Sequence, residues 1–323
     1  IKGSVLKVLS SAEMRWSLMT KDLSLNLAGL KMDNPFITAS GTCGFGYELT
    51  PFLDELPGGI ALKGLTLNEK KGNPTPRIAE TPAGILNSIG LQNPGLTKFK
   101  ADYVPKLKEI DTRLIANISG NTVEEYGIMI EELNKLEVID AVEVNISCPN
   151  VKKGGMVFGT DPKEASRVVS EVVKRSEMPV IAKLSPNVTD ICEIALAVEE
   201  AGVDAISMIN TLQGMKIDIE TGRPVLGNVI GGLSGPAIRP VAVRMVYQVA
   251  QVVEIPIIGM GGIRTIEDVI EMLMAGASAV SIGTGTMVDP GLPSKLIAQL
   301  REYCHKNGYT DWQDLIGLAL PKS

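Results

Sequence analysis

The segment "NISCPNVKKGG", Asn145 to Gly155, runs from an apolar stretch into a cysteine wedged before a proline, then into a basic loop that ends in glycine. A free thiol titrates at about 8.5, and basic neighbours such as Lys152 and Lys153 lower that value, so Cys148 can accept a proton near neutral pH. An isolated cysteine is more often an inert buried thiol. Position argues otherwise here, three residues past Asn145 at the end of a strand-like run. The one histidine, His305, lies in "REYCHKNG", which reads as an exposed helix end and is badly placed for acid/base work. Cys43 in "SGTCGFG" is the competing thiol, and its glycine neighbours suggest a turn packed beneath a ligand.

Two lysines close apolar runs: Lys63 ends "IALK" and Lys183 falls near the end of "VIAKL". The plain reading is a lysine at the solvent edge of a strand. Two lysines facing one anionic site would instead stabilise ligand charge, or one would be a desolvated Schiff-base amine. The lysines alone do not separate these readings. Asn117, Asn145 and Asn210 fall at similar run ends, and Asn87 in "NSIGLQNPG" joins them. A carboxamide gives and accepts hydrogen bonds at once, which suits a flat ligand edged with C=O and N–H groups, such as a flavin or a pyrimidine. Any one of these asparagines would serve equally well in a turn; four together are harder to assign that way. Two further runs end in "GMGGIRT" and "SIGTGT", where Gly261-Gly262 and Gly283-Thr284 let backbone N–H groups approach an anion closely. Either motif alone also fits a tight turn without a ligand.

These residues belong to a repeating pattern. Short runs rich in Val, Ile and Ala alternate with longer amphipathic segments, as in repeated βα units around a parallel sheet. Eight such runs occur: 36–40, 60–63, 114–118, 141–146, 180–184, 205–209, 256–260 and 279–283. Eight closes a (β/α)₈ barrel, whose chemistry sits at the C-terminal ends of the strands and whose last two loops are the usual phosphate grip. The eight strand ends then carry Ser40-Gly41, Lys63-Gly64, Asn117, Asn145 with Cys148, Lys183, Asn210-Thr211, Gly261-Gly262 and Gly283-Thr284. No acidic residue is among them, so a carboxylate-bound Mg²⁺ or Ca²⁺ is not expected.

The expected fold is α/β: a single (β/α)₈ barrel with an N-terminal β-hairpin and long βα loops over the C-terminal face. "LSLNLAGLKM", 23–32, alternates around Ala28-Gly29 and reads as that hairpin, closing the barrel bottom. Asp161 before Pro162, and Thr265 with Asp268, mark helix starts; Thr310 and Gln313 at capping-box spacing predict a short final helix. Two connections, Gly64 to Arg113 and Thr211 to Gly235, are too long for plain βα turns and are expected to serve the site. Residues 1–20 read as an N-terminal extension with Met19 as the natural start, and 21–323 as the barrel.

Composition narrows the class. Hydrophobic residues are 45% of the chain and charged residues 21%, with a net charge of −6 and no dense Lys/Arg block, so nucleic acid is not an expected partner. The four cysteines are scattered, without metal-ligand spacing, which fits a reducing, cytoplasmic setting. No membrane span and no secretory signal are read from the chain.

Taken together, "NISCPNVKKGG", "GNPTPRIAETPAGILNSIGLQNPG", "MINTLQGM", "GGLSGPA" and "IPIIGMGGI" resemble the dihydroorotate dehydrogenases, and among them the FMN-carrying subunit of the NAD-linked, two-subunit branch. The resemblance runs from about Leu23 to the chain end. It implies FMN, one per chain, held by Ser40, Lys63, Gly64, Asn117, Asn145, Lys183, Ile209, Gly235, Gly261, Gly262, Gly283 and Thr284, with the phosphate on the last two glycine motifs. It implies a pyrimidine held by Lys63, Asn87, Ser88, Ile89, Gly90, Leu91, Asn145, Asn210 and Thr211. Cys148 matches the family's catalytic base, where the membrane-associated branch has serine. The implied reaction is oxidation of (S)-dihydroorotate to orotate, Cys148 taking the C5 proton, with Lys183 stabilising negative charge on the reduced flavin. No complete GxGxxG occurs, Arg264 standing where the third glycine would fall. The resemblance therefore implies a partner subunit carrying FAD and an iron–sulfur cluster that passes electrons to NAD⁺, around a homodimer core of a heterotetramer. One departure is "GTCGFG", whose cysteine stands one place later than in related subunits. The rival readings are a stand-alone enzyme reducing fumarate and, from another class, a phosphate-binding barrel aldolase using Lys63 or Lys183 as Schiff base.

Overall fold

The structure, a computed structural model, describes residues 22–147, 149–150 and 156–321. Cys148, Lys152, Lys153 and the expected extension 1–20 lie outside the described residues. Strands β1 (Leu25–Leu27) and β2 (Leu30–Met32) form an antiparallel hairpin in which Leu27 opposes Leu30. Its turn is Ala28-Gly29, at φ 53° and 86°. Two positive φ values in a two-residue loop match the right-handed twist of the strands and favour Asn-Gly over Ala-Gly. Replacing Ala28 by Asn is therefore expected to stabilise the protein by about 0.5–1 kcal/mol, seen as a higher urea midpoint with an unchanged slope; a lower midpoint would contradict the turn geometry.

All eight expected strands form and close a parallel barrel: β3 (Phe36–Thr38), β4 (Gly59–Ala61), β7 (Arg113–Ile118), β8 (Ala141–Asn145), β11 (Val180–Lys183), β12 (Ala205–Met208), β17 (Ile257–Met260) and β18 (Ala279–Ile282), with β18 pairing back to β3. Their outward residues, such as Val142, Val144, Ile206 and Val280, pack with Val168, Val172, Ile194 and Val246 from the surrounding helices. Both faces are buried, which is why these strands read as continuous apolar runs rather than alternating ones.

Inside the barrel the side chains form tiers. The lowest takes one residue from each strand, Ile37, Ala61, Ile115, Ala141, Ile181, Ala205, Ile258 and Ala279, and the hairpin residues Leu27, Leu30 and Met32 seal it from below. The hairpin thus has the role expected of it. Two residues further along each strand the same face recurs, and there the composition changes to Ala39, Lys63, Asn117, Glu143, Lys183, Ser207, Met260 and Ser281. An apolar floor carries a polar tier at the level where the strands end.

The two long connections build one cover. Strands β5 (Ile78–Thr81) and β6 (Gly84–Asn87) come from the first; β13 (Leu212–Met215) and β16 (Ile230–Ser234) come from the second, together with a small hairpin of β14 (Ile217–Asp218) and β15 (Arg223–Pro224). They pair as a four-stranded antiparallel sheet in the order β13-β16-β6-β5, in which Asn87 opposes Gly232. A further short pair, β9 (Pro149–Asn150) with β10 (Met156–Val157), follows β8.

Helix starts agree with the sequence at two places. The Asp161 carboxylate accepts from the Glu164 N–H at 3.0 Å ahead of helix Pro162–Arg175, and Thr265 with Asp268 forms a capping box on helix Ile266–Met274. The last expected helix differs. Residues Trp312–Leu315 form a single 3₁₀ turn capped by Asp311, whose side chain accepts from Gln313 N–H, because Asp311 stands one residue nearer the turn than Thr310. Among the described residues no helix is long and apolar enough to cross a membrane.

Candidate active site

Above the polar tier the strand ends, the loops and the cover sheet enclose a cavity of about 1300 Å³. Ligand pockets commonly span about 300–1,000 Å³, so this one has room for more than one small ligand. Every binding residue expected from the sequence lines it: Ser40, Lys63, Gly64, the run from Asn87 to Leu91, Asn117, Asn145, Lys183, Ile209, Asn210, Thr211, Gly235, Gly261, Gly262, Gly283 and Thr284. Cys148, the expected base, lies outside the described residues.

One wall is polar and tightly tied. Glu143 on β8 is buried, and its Oε1 accepts from Asn117 Nδ2 at 2.5 Å and from Lys183 Nζ at 3.3 Å, while Oε2 accepts from Ser207 Oγ at 2.9 Å. Glu80 and Asp289 line the cavity, and Glu143 adds a buried carboxylate beside it that a reading confined to the strand ends did not foresee. It sits two residues before the end of its strand, and the alternation of β8 aims it at the barrel axis beside Lys183 on the neighbouring strand. The signal was present in "AVEVN", where a charged residue interrupts an apolar run.

The second lysine stands apart. Lys63 is half-buried, and burial alone pushes its ammonium below the ordinary 10.5. Among the described residues no carboxylate pairs with it, so an incoming anion is its natural counterion. The asparagines are held from behind: the Asn145 carbonyl accepts from the Tyr126 hydroxyl at 2.8 Å, and its Oδ1 accepts from Ser147 N–H. Asn210 donates to Ser147 Oγ at 3.0 Å, and its Oδ1 accepts from the Thr211 N–H at 2.8 Å.

The opposite wall is glycine. Gly262 has φ 79°, and a Cβ placed there would stand 2.6 Å from Arg239 Cβ and 3.0 Å from the Arg239 backbone. Gly235 has φ 97°, and its Cβ would stand 2.7 Å from Gly84 Cα in the cover sheet. Backbone packs directly on backbone at both points, so the chain presents main-chain groups to the cavity. Thr284 Oγ1 donates to Ser234 Oγ at 2.8 Å, linking the last barrel loop to β16.

The family model described as "Dihydroorotate dehydrogenase" matches residues 22–303. The chain belongs to the dihydroorotate dehydrogenase family. It is 52% identical over 297 residues to a protein of Geotalea daltonii, covering 92% of this chain and 97% of that one. It is 53% identical over 302 residues to one of Desulforamulus reducens, covering 93% and 99%. Both bear the name "Dihydroorotate dehydrogenase B (NAD(+)), catalytic subunit".

Within this dihydroorotate dehydrogenase barrel, two rival readings find no support. Cys43 does not line the cavity: it is buried, its Sγ lies 3.3 Å from Thr38 Oγ1, and burial pushes its thiol up. A buried thiol held in the neutral form is a poor base. Lys183 is ion-paired with Glu143 rather than standing alone as a Schiff-base amine. His305 is exposed near the end of helix Leu292–Asn307, as the sequence suggested.

Proposed function

We propose that this chain oxidises (S)-dihydroorotate to orotate in pyrimidine biosynthesis, with FMN in the barrel mouth and electrons passed to NAD⁺ through a partner subunit carrying FAD and an iron–sulfur cluster. The observation that carries this reading is convergence: residues expected from two separate ligand sets, scattered from Ser40 to Thr284, line one cavity.

The donor set suits FMN. A flat ring edged with C=O and N–H groups meets the carboxamides and lysines on one wall, and a phosphate meets the close-packed glycines on the other. The Ser281 hydroxyl, on the polar tier of β18, is buried and has no hydrogen-bond partner among the described residues. FMN, when bound, supplies the acceptor for the hydride leaving C6 of dihydroorotate.

Everything else falls to the chain. Cys148 takes the C5 proton. Lys63 faces the substrate carboxylate, the anion its desolvated ammonium lacks. Asn87 to Leu91, Asn145, Asn210 and Thr211 would hold the pyrimidine, and Ser40, Gly64, Asn117 and Ile209 would contact the flavin. Lys183 stabilises negative charge. The cover sheet excludes water from the reacting atoms, which strengthens each of these interactions.

The printed name of the relatives, a catalytic subunit of an NAD(+) enzyme, supports a separate electron-transfer partner. A homodimer core within a heterotetramer, one FMN per chain and a cytoplasmic setting complete the reading.

Its test is the absorption spectrum of the purified chain before and after anaerobic dihydroorotate: a flavin band that bleaches is expected, and a colourless or unbleached protein would overturn the reading. Fumarate turnover by the chain alone would overturn the partner. A second expectation concerns pH. Protonated Lys63 binds the carboxylate, so orotate affinity is present at low pH and is lost as pH rises through a midpoint below 10.5. Lys63→Met should weaken binding and remove that loss; an unchanged pH profile of orotate Kd in the variant would disprove the role.

A further inference from the structure

Glu143 has no part in the chemistry above, yet it stands at the centre of the polar tier. Its carboxylate takes hydrogen bonds from three strands: Asn117 on β7, Lys183 on β11 and Ser207 on β12. All four side chains are buried, Glu143 at 3% exposure and Lys183 at 5%. We propose that Glu143 is a positioning residue that fixes which atoms Asn117 and Lys183 present to the flavin and offsets the charge of Lys183. The inference rests on the functional reading above.

A carboxylate only accepts, so Asn117 must turn its Nδ2 toward Glu143 and leave Oδ1 facing the cavity. Oδ1 lies 2.9 Å from where a Cβ on Gly64 would sit, so the space beside that oxygen stays open only because residue 64 is glycine. Asn117 is thereby fixed as an acceptor toward any ligand N–H. Lys183 has three N–H groups; one goes to Glu143 Oε1, and two remain for the cavity. Ser207 anchors Oε2, so the carboxylate cannot swing to follow the lysine.

Stability alone does not account for such a pair. Desolvation of two charges offsets most of their attraction, and a buried ion pair replaced by apolar groups is often neutral or stabilising. The electrostatic consequence is specific. Lys183 without Glu143 would present a full positive charge to the flavin; with Glu143 it presents a local dipole of near-zero net charge. Reduced flavin carries more negative charge than oxidised flavin, so removing Glu143 should favour reduction and removing Lys183 should oppose it.

The experiment uses the FMN-loaded full chain and three variants: Glu143→Gln, Lys183→Gln and the double variant. The readouts are the FMN midpoint potential against a reference dye, FMN affinity by fluorescence titration, and the melting temperature. The expected order of potentials is Glu143→Gln highest, wild type and the double variant close together, Lys183→Gln lowest. Each single step should change the reduction equilibrium about tenfold or more, which is about 30 mV for a two-electron couple. Should Glu143→Gln not fold, the double variant lying above Lys183→Gln supports the same assignment. Equal potentials across the folded variants, with only the melting temperature lowered, would overturn it and leave Glu143 a structural residue. A wild-type chain that holds no FMN would instead overturn the functional reading, and this inference with it.

Discussion

Cys148→Ala is expected to keep FMN bound while slowing flavin reduction by dihydroorotate by at least a hundredfold, since a positioned general base contributes about 10²–10⁴ to rate. Cys148→Ser should retain a weak remnant, because a hydroxyl occupies the same place but gives up a proton far less readily than a thiol. The measurement is anaerobic stopped-flow at the flavin band, which isolates the reductive half-reaction from any partner. Near-normal reduction in the alanine variant would end the assignment. Glu80 and Asp289 also line the cavity, Asp289 ion-paired with Lys295; three other groups that could compete with Cys148 are badly placed. His305 is on the outside of the barrel, Cys43 is buried off the cavity, and Glu143 is committed to three donors. None of these is free to take a proton from a ligand in the mouth.

Gly262→Val is expected to strip FMN from the protein while leaving the barrel folded. A β-branched residue at φ 79° is a conformational outlier, and such backbone strain costs about 1–3 kcal/mol. Steric overlap adds to it, because the new Cβ meets Arg239 at 2.6 Å and Arg239 cannot withdraw. That arginine is ion-paired to buried Asp268 and, through Nε at 3.3 Å, to Glu271. The loop must shift away from the cavity wall, and about 3 kcal/mol lost from the phosphate grip is roughly a hundredfold in FMN Kd. Fluorescence titration of the apoprotein checks this. Wild-type affinity in the variant would show that the glycine wall does not hold the phosphate.

The barrel was readable from the chain because parallel strands buried on both faces leave short, unbroken apolar runs, and near the end of each run every second residue points to the mouth by strand alternation. Lys63, Asn117 and Lys183 were found in that way. Glu143 was missed by the same rule, since attention to strand ends passes over a charge two residues earlier whose partners come from neighbouring strands. Nor do the long connections reveal their sheet. Each of β5, β6, β13 and β16 is short, and what makes it a strand is a partner in another loop. The cap at Asp311 rather than Thr310 shows a smaller limit: capping-box spacing assumes an α-helical turn, and the chain makes a 3₁₀ turn there.

The cover sheet has a consequence for the order of assembly. Its central pairing joins Asn87 to Gly232, 145 positions away, with four of the eight barrel strands, β7, β8, β11 and β12, lying between. The entropy of closing so long a loop is offset only once those strands have already drawn the two ends together. The hairpin floor, by contrast, closes on neighbouring residues. The roof pairing is therefore expected to form only after β7, β8, β11 and β12 have docked. The amide protons of 84–87 and 230–234 are the ones to exchange through local opening, well before global unfolding. A chain that lacks this pairing has an open barrel mouth, so ligand capture is expected to report on the roof rather than on the core beneath it.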